Sequence, residues 1–174
     1  MNVFLLMSGG VGNRFGSNIP KQYVKLCGKP VIEYVLQAAI ESEKTDKIVV
    51  VMDKQYVNIS ELLNNEKIII TNNGTDRYGS LKNGLECIND YFDCDKVIIA
   101  DAVAPFIYPE LIDDYFNKLE DYDIVLTGQK ITGALCDFEG NRYDIEDFFM
   151  AQATEAFKFD MLFNNIDYST KYQA

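Results

Sequence analysis

Five short apolar runs constrain this chain more than any other feature. They are Val3-Phe4-Leu5-Leu6-Met7, Lys47 to Met52, Ile68-Ile69-Ile70, Val97 to Ala100 and Asp123 to Leu126. A run this short and this continuously apolar reads as a strand covered on both faces, which is the habit of parallel sheets. Stretches of helical period lie between the runs. From Pro30, Val31, Tyr34, Val35 and Ala38 form one stripe; Leu81, Leu85 and Ile88 repeat the pattern between Ser80 and Ile88, and Pro109 to Leu119 reads as another helix. Ile59 to Leu63 is expected to begin a short helix as well. Strands alternating with helices imply right-handed crossovers, so the expectation is an α/β chain with a mostly parallel sheet. Residues 127–150 break the pattern, with Gly128, Gly133 and Gly140 as punctuation, and suggest a protruding hairpin. No linker or repeat divides the 174 residues, so one domain over 1–174 is expected.

In a sheet of this kind, ligands bind beyond the carboxyl ends of the strands. The loops after Met7, Ile70 and Ala100 are therefore the places to look. Charge narrows the ligand: 16 basic against 27 acidic residues give a net charge of −11, which opposes general nucleic-acid binding. A small anion needs only a local cluster of cations and backbone N–H groups. The chain has no histidine, which removes Ser–His and Cys–His catalysis and histidine-ligated zinc. Cys27, Cys87, Cys94 and Cys136 show no C-x-x-C spacing and read as reduced thiols. The apolar start lacks a basic lead and meets Gly9-Gly10 at once, too short for a signal peptide or a spanning helix. A cytoplasmic protein without membrane contact is the expectation.

The first loop runs Ser8-Gly9-Gly10-Val11-Gly12-Asn13-Arg14-Phe15-Gly16 and continues to Pro20-Lys21-Gln22-Tyr23. Gly9, Gly10 and Gly12 let backbone N–H groups close around an anion, and Arg14 and Lys21 add fixed positive charge. Neither the P-loop spacing nor the dinucleotide fingerprint is present. Asp101 ends the fourth apolar run, and a carboxylate at a strand end is a common magnesium ligand.

The pattern G-x-G-x-R followed by Pro20–Tyr23 resembles the family of methylerythritol-phosphate and ribitol-phosphate cytidylyltransferases. Three later segments agree in order: Gly74-Thr75-Asp76-Arg77-Tyr78-Gly79-Ser80, Ala100-Asp101-Ala102-Val103-Ala104-Pro105-Phe106, and Gln152-Ala153-Thr154-Glu155-Ala156-Phe157. The wording of the 74–80 loop is nearest the ribitol-phosphate branch. The resemblance implies a three-layer, Rossmann-like nucleotidyltransferase fold. It also implies transfer of CMP from CTP to a phosphorylated polyol, with Mg2+ and release of pyrophosphate. Arg14 and Lys21 would grip the triphosphate and stabilise the transition state. Ser8, Gly9, Gly74, Thr75 and Ser80 would surround cytosine and ribose, and Asp101 would hold the magnesium ion. A homodimer formed through the arm at 127–150 is implied too.

The chain departs from the family pattern on the acceptor side. Ala104 and Ile145 stand where arginines are expected, Ala100 where a histidine is, and Ala153 where a threonine is. Family members also continue further, with a late D-x-[IL]-K segment that 1–174 lacks. The alternative expectation is a CTP-binding or interaction module derived from that family without its catalysis.

Overall fold

The computed structural model describes residues 1–10, 16 and 19–168. In chain order the elements are β1 (Asn2–Met7), β2 (Lys25–Leu26), β3 (Lys29–Pro30), α1 (Val31–Glu41), β4 (Lys47–Met52), β5 (Ile68–Asn72) and α2 (Arg77–Tyr91). They continue with β6 (Lys96–Asp101), α3 (Pro109–Lys118), β7 (Ile124–Lys130), β8 (Leu135–Cys136), β9 (Arg142–Tyr143), β10 (Phe149–Lys158) and α4 (Phe159–Asn165). Six strands form the main sheet in the order β5-β4-β1-β6-β10-β7. β5, β4, β1 and β6 are parallel, and β10 runs antiparallel between β6 and β7.

The apolar runs are strands because both of their faces are covered. Alternation sends Phe4, Leu6, Ile48, Val50 and Ile98 to one side of the sheet, where Ile32, Val35 and Leu36 of α1 and Ile112 and Phe116 of α3 meet them. It sends Val3, Leu5, Val49, Val51 and Val97 to the other side, against Leu85 and Ile88 of α2 and Phe159 of α4. Helix, sheet and helix make the three layers expected. Phe4, Leu5 and Leu6 are fully buried, and each such side chain contributes about 1.5–3 kcal/mol. No position in the centre of β1 has room for polarity.

Three sequence expectations change. The short helix expected from Ile59 to Leu63 is of the 3-10 kind and spans Glu61–Asn64, after another at Lys54–Tyr56. The Ser60 hydroxyl accepts from Leu62 N at 3.2 Å, and Asn65 returns to extended backbone before a second turn forms. α2 starts at Arg77, earlier than Ser80, because the Asp76 carboxylate caps it by accepting from Gly79 N at 2.7 Å. The sheet also gains β10, which carries Gln152, Thr154, Glu155 and Lys158 and so lacks the apolar signature of the other interior strands.

The hairpin expected at 127–150 is present. β7 and β10 stay paired beyond the sheet body, with Gly128 opposite Ala151, Gln129 opposite Met150 and Lys130 opposite Phe149. The small β8–β9 hairpin caps this extension. Among the described residues, no helix is long and apolar enough to cross a membrane.

Candidate active site

β1, β5 and β6 release the chain at the same edge of the sheet, and the three loops that follow enclose a cleft of about 280 Å³. Gly9 and Gly10 enter from β1, Lys21 and Gln22 from the turn beyond it, Gly74, Thr75, Arg77 and Ser80 from the β5–α2 corner, and Asp101 from the end of β6. Residues as far apart in sequence as Gly9 and Asp101 thus share one wall because parallel strands end together.

Two glycines allow the loops to close on one another. A Cβ on Gly9 would lie 2.5 Å from Asn73 Cβ and 3.1 Å from Ser80 Oγ. A Cβ on Gly74 would lie 2.3 Å from the Gly79 carbonyl carbon and 2.6 Å from Ser80 N, and those are backbone atoms that cannot step aside. Ser80 Oγ accepts from Gly74 N at 3.0 Å and closes the corner. α2 is fifteen residues long, and its amino end faces the cleft with its partial positive charge.

The turn at Lys21–Tyr23 is built against the end of β1. The Gln22 amide, 3% exposed, donates to Ser8 O and to Gly10 O, both at 2.8 Å. Tyr23 and Ser8 are joined through their hydroxyls at 3.1 Å, and burial pushes the Tyr23 phenol up. Lys21 stands at the exposed start of this turn and lines the cleft.

Of the sequence candidates, Gly9, Gly10, Lys21, Gly74, Thr75, Ser80 and Asp101 come together in the cleft lining. Ser8 is 2% exposed and sits behind that lining, engaged with Tyr23 and Gln22. Gly12 and Arg14 lie outside the described residues. Gln22, Asn73, Asp76 and Arg77 line the cleft as well, although sequence reasoning gave them no role. Their signal was present for Gln22, Asp76 and Arg77, which belong to the two motifs already singled out.

Asp101 is paired with Arg77, whose Nη1 lies 2.8 Å from Asp101 Oδ1. Glu155 faces the same group: it stands opposite Ile99 in the β6–β10 ladder, and alternation puts Asp101 on that same face. Burial pushes the Glu155 carboxyl up, the Arg77 guanidinium draws it down, and the Asp101 carboxylate adds to the rise. Among the described residues, no cluster of three or more acidic, histidine or cysteine side chains offers a self-sufficient metal site. A magnesium ion that takes its remaining ligands from phosphate and water needs few protein oxygens, and Asp101 fits that demand.

Comparison with known proteins places this geometry in a family. The family described as IspD, 2-C-methyl-D-erythritol 4-phosphate cytidylyltransferase, matches residues 3–172. The 2-C-methyl-D-erythritol 4-phosphate cytidylyltransferase of Thermotoga neapolitana is 28% identical over 167 residues, covering 93% of this chain and 75% of the relative. The ribitol-5-phosphate cytidylyltransferase of Streptococcus pneumoniae is 34% identical over 133 residues, covering 70% of this chain and 57% of the relative. The crystal structure of the 4-diphosphocytidyl-2C-methyl-D-erythritol synthase of Anaerococcus prevotii shares the fold, with a TM-score of 0.81 at 19% identity. It is matched over 100% of this chain and 78% of its own. With a family match that runs almost from end to end, the chain belongs to the IspD family of 2-C-methyl-D-erythritol 4-phosphate cytidylyltransferases.

Proposed function

We propose that the cleft binds CTP and transfers its cytidylyl group to a phosphorylated polyol. The convergence of Lys21, the Gly9-Gly10 turn, the α2 amino end and Asp101 on one cleft carries this reading. Backbone N–H groups and Lys21 suit a triphosphate, and the small Gly74-Thr75 corner suits a pyrimidine. An oxygen of the acceptor phosphate attacks the α-phosphorus in line, the bond from that phosphorus to the β-phosphate oxygen breaks, and pyrophosphate leaves. No side chain need become covalently attached, so the chain's task is positioning and charge neutralisation. Lys21 and Arg14 would hold the phosphates and meet the charge that develops on the reacting oxygens. Asp101 would hold a magnesium ion, which orients the phosphates and withdraws charge from them when bound.

Methylerythritol phosphate and ribitol phosphate are the acceptor classes of the relatives, and a phosphorylated polyol is the class proposed for this chain. Free thiols at Cys27, Cys87, Cys94 and Cys136 accord with work in the cytoplasm. The test is pyrophosphate release from CTP and Mg2+ over a panel of polyol phosphates, alongside melting curves with CTP and with GTP. A ligand at about 100 times its dissociation constant raises stability by roughly 2.7 kcal/mol, so selective CTP binding is readable even without turnover. Equal shifts from all triphosphates would remove the cytidylyl assignment. A CTP shift with no pyrophosphate from any acceptor would leave a nucleotide-binding module.

The reading includes a homodimer joined through the arms. Tyr143, Phe148, Phe149 and Met150 are all exposed on the extension, and a partner arm would cover them. Light scattering at micromolar concentration should give twice the chain mass; a monomer there would reject the dimer.

A further inference from the structure

We propose that Arg77 is a positioning residue that engages the Asp101 carboxylate, so that this chain takes up a divalent cation together with nucleotide and not before it. The inference rests on the reading of Asp101 as the metal ligand.

Two observations support it. Arg77 Nη1 lies 2.8 Å from Asp101 Oδ1, so the guanidinium already engages one of the two oxygens a cation could use. A magnesium ion sits about 2.0–2.1 Å from its oxygens, and a positive group at hydrogen-bond range from the same oxygen would repel it. Among the described residues, Asp101 belongs to no cluster of three or more metal-type side chains. A free cation meets an Asp101 carboxylate that a guanidinium already engages.

Glu155 lies on the same face of the sheet as Asp101. It feels both Arg77 and Asp101, so the guanidinium is faced by two acids from β6 and β10. The Asp76 carboxylate accepts from Gly79 N at 2.7 Å and is engaged in capping.

A triphosphate changes the balance in two ways. It brings oxygens that complete the cation's shell, and it offers the guanidinium bidentate acceptors of its own. Arg77 is the first residue of α2, beside the amino end that favours an anion, so a small side-chain rotation suffices. The pair is easily exchanged, since the Arg77 side chain is 51% exposed and that of Asp101 is 22% exposed.

The experiment is Mn2+ binding to the full chain, read by electron paramagnetic resonance with and without CTP. Without CTP, Arg77→Gln should bind Mn2+ about thirtyfold more tightly than the parent, the worth of one unit charge against a divalent cation at roughly 4 Å in water-like surroundings. Arg77→Lys keeps the charge and should stay near the parent. Adding Asp101→Asn to Arg77→Gln should abolish the gain. CTP should raise the Mn2+ affinity of the parent more than that of Arg77→Gln. Melting curves should stay close to the parent, as expected for a half-exposed pair. Parent-like or weaker Mn2+ binding by Arg77→Gln would overturn the proposal, provided Asp101→Asn still loses the CTP-dependent signal. If Asp101→Asn kept that signal, the ligand role of Asp101 would fail, and this inference with it.

Discussion

Gln22 is tied to Gly10 by a 2.8 Å hydrogen bond from its side-chain amide, and the same nitrogen reaches Ser8 O at 2.8 Å. The pair fixes Lys21, the neighbour of Gln22, relative to the Gly9-Gly10 turn on the same cleft. Ser8 O has a second donor in the Tyr23 hydroxyl at 3.2 Å, so Gly10 O depends more heavily on Gln22. Gln22→Met should therefore cost about 0.5–1.5 kcal/mol for each of the two hydrogen bonds lost, because Ser8 O keeps Tyr23 and exposed Gly10 can turn to water. Gln22→Glu should cost more, because a carboxylate would face two carbonyl oxygens. CTP titration of whatever remains folded should show weakened binding in both. A Gln22→Glu variant with parent melting temperature and parent affinity would reject the role.

The glycines of the site separate steric need from ligand approach. Gly74→Ala places a Cβ 2.3 Å from backbone, so the α2 corner must move, and overpacking of that kind costs about 1–3 kcal/mol. A Cβ on Gly10 meets nothing within 4 Å. Gly10→Ala should leave stability within about 0.5 kcal/mol of the parent while weakening CTP, because Gly10 lines the cleft. Thermal melts paired with CTP titrations distinguish the two. Unchanged CTP affinity in Gly10→Ala would mean that the nucleotide does not approach that backbone.

How far the molecule could be read from its residues depends on burial. β1, β4 and β6 were legible because both faces are covered and every interior position is apolar. β10 was not: Gln152, Thr154, Glu155 and Lys158 interrupt it, its outer half lies exposed in the arm, and a bulge between Ala151 and Glu155 breaks its register. In the site, Gly74 and Ser80 were legible because a tight corner restricts residue type. The Arg77–Asp101 pair was not, since it joins residues 24 apart from two different elements, and only the fold brings the α2 amino end over β6. The direction of the Gln22 side chain was likewise beyond the motif that contains it.

Asp137 should hold the tip of the arm together down to strong acid. Its carboxylate accepts from Glu139 N at 3.0 Å, Asn141 N at 2.9 Å, Asn141 Nδ2 at 2.8 Å and Tyr143 Oη at 2.8 Å. Hydrogen bonds from Asn141 and Tyr143 foremost lower its pKa from 3.8 to about 2. A depressed carboxyl contributes fully above its unfolded value and loses the contribution as pH falls through its folded one. Amide protection factors at Glu139 and Asn141 should therefore persist below about pH 4 and disappear near pH 2. Asp137→Ala should lack that protection at every pH. Loss at the ordinary carboxylate value in the parent would reject the turn.

Lys21→Ala should slow the chemical step more than it weakens CTP binding. Lys21 opens the turn that Gln22 anchors, and it lines the cleft together with Gly9 and Gly10. Negative charge shifts onto the oxygens around the α-phosphorus only as the new bond forms, so a fixed cation there is worth more in the transition state than in the ground state. Removing one preorganised donor of this kind raises the barrier by roughly 2.7–4 kcal/mol, or about 100- to 1,000-fold in kcat. Lys21→Arg keeps the charge but replaces a compact ammonium with a wider planar fork, so it should recover the rate only in part. The measurement is kcat and KM for CTP with an acceptor found by the polyol-phosphate panel. A raised KM with unchanged kcat would mean uniform binding of ground and transition states, and would reject the transition-state role. A parent-like rate in Lys21→Ala would reject the site itself.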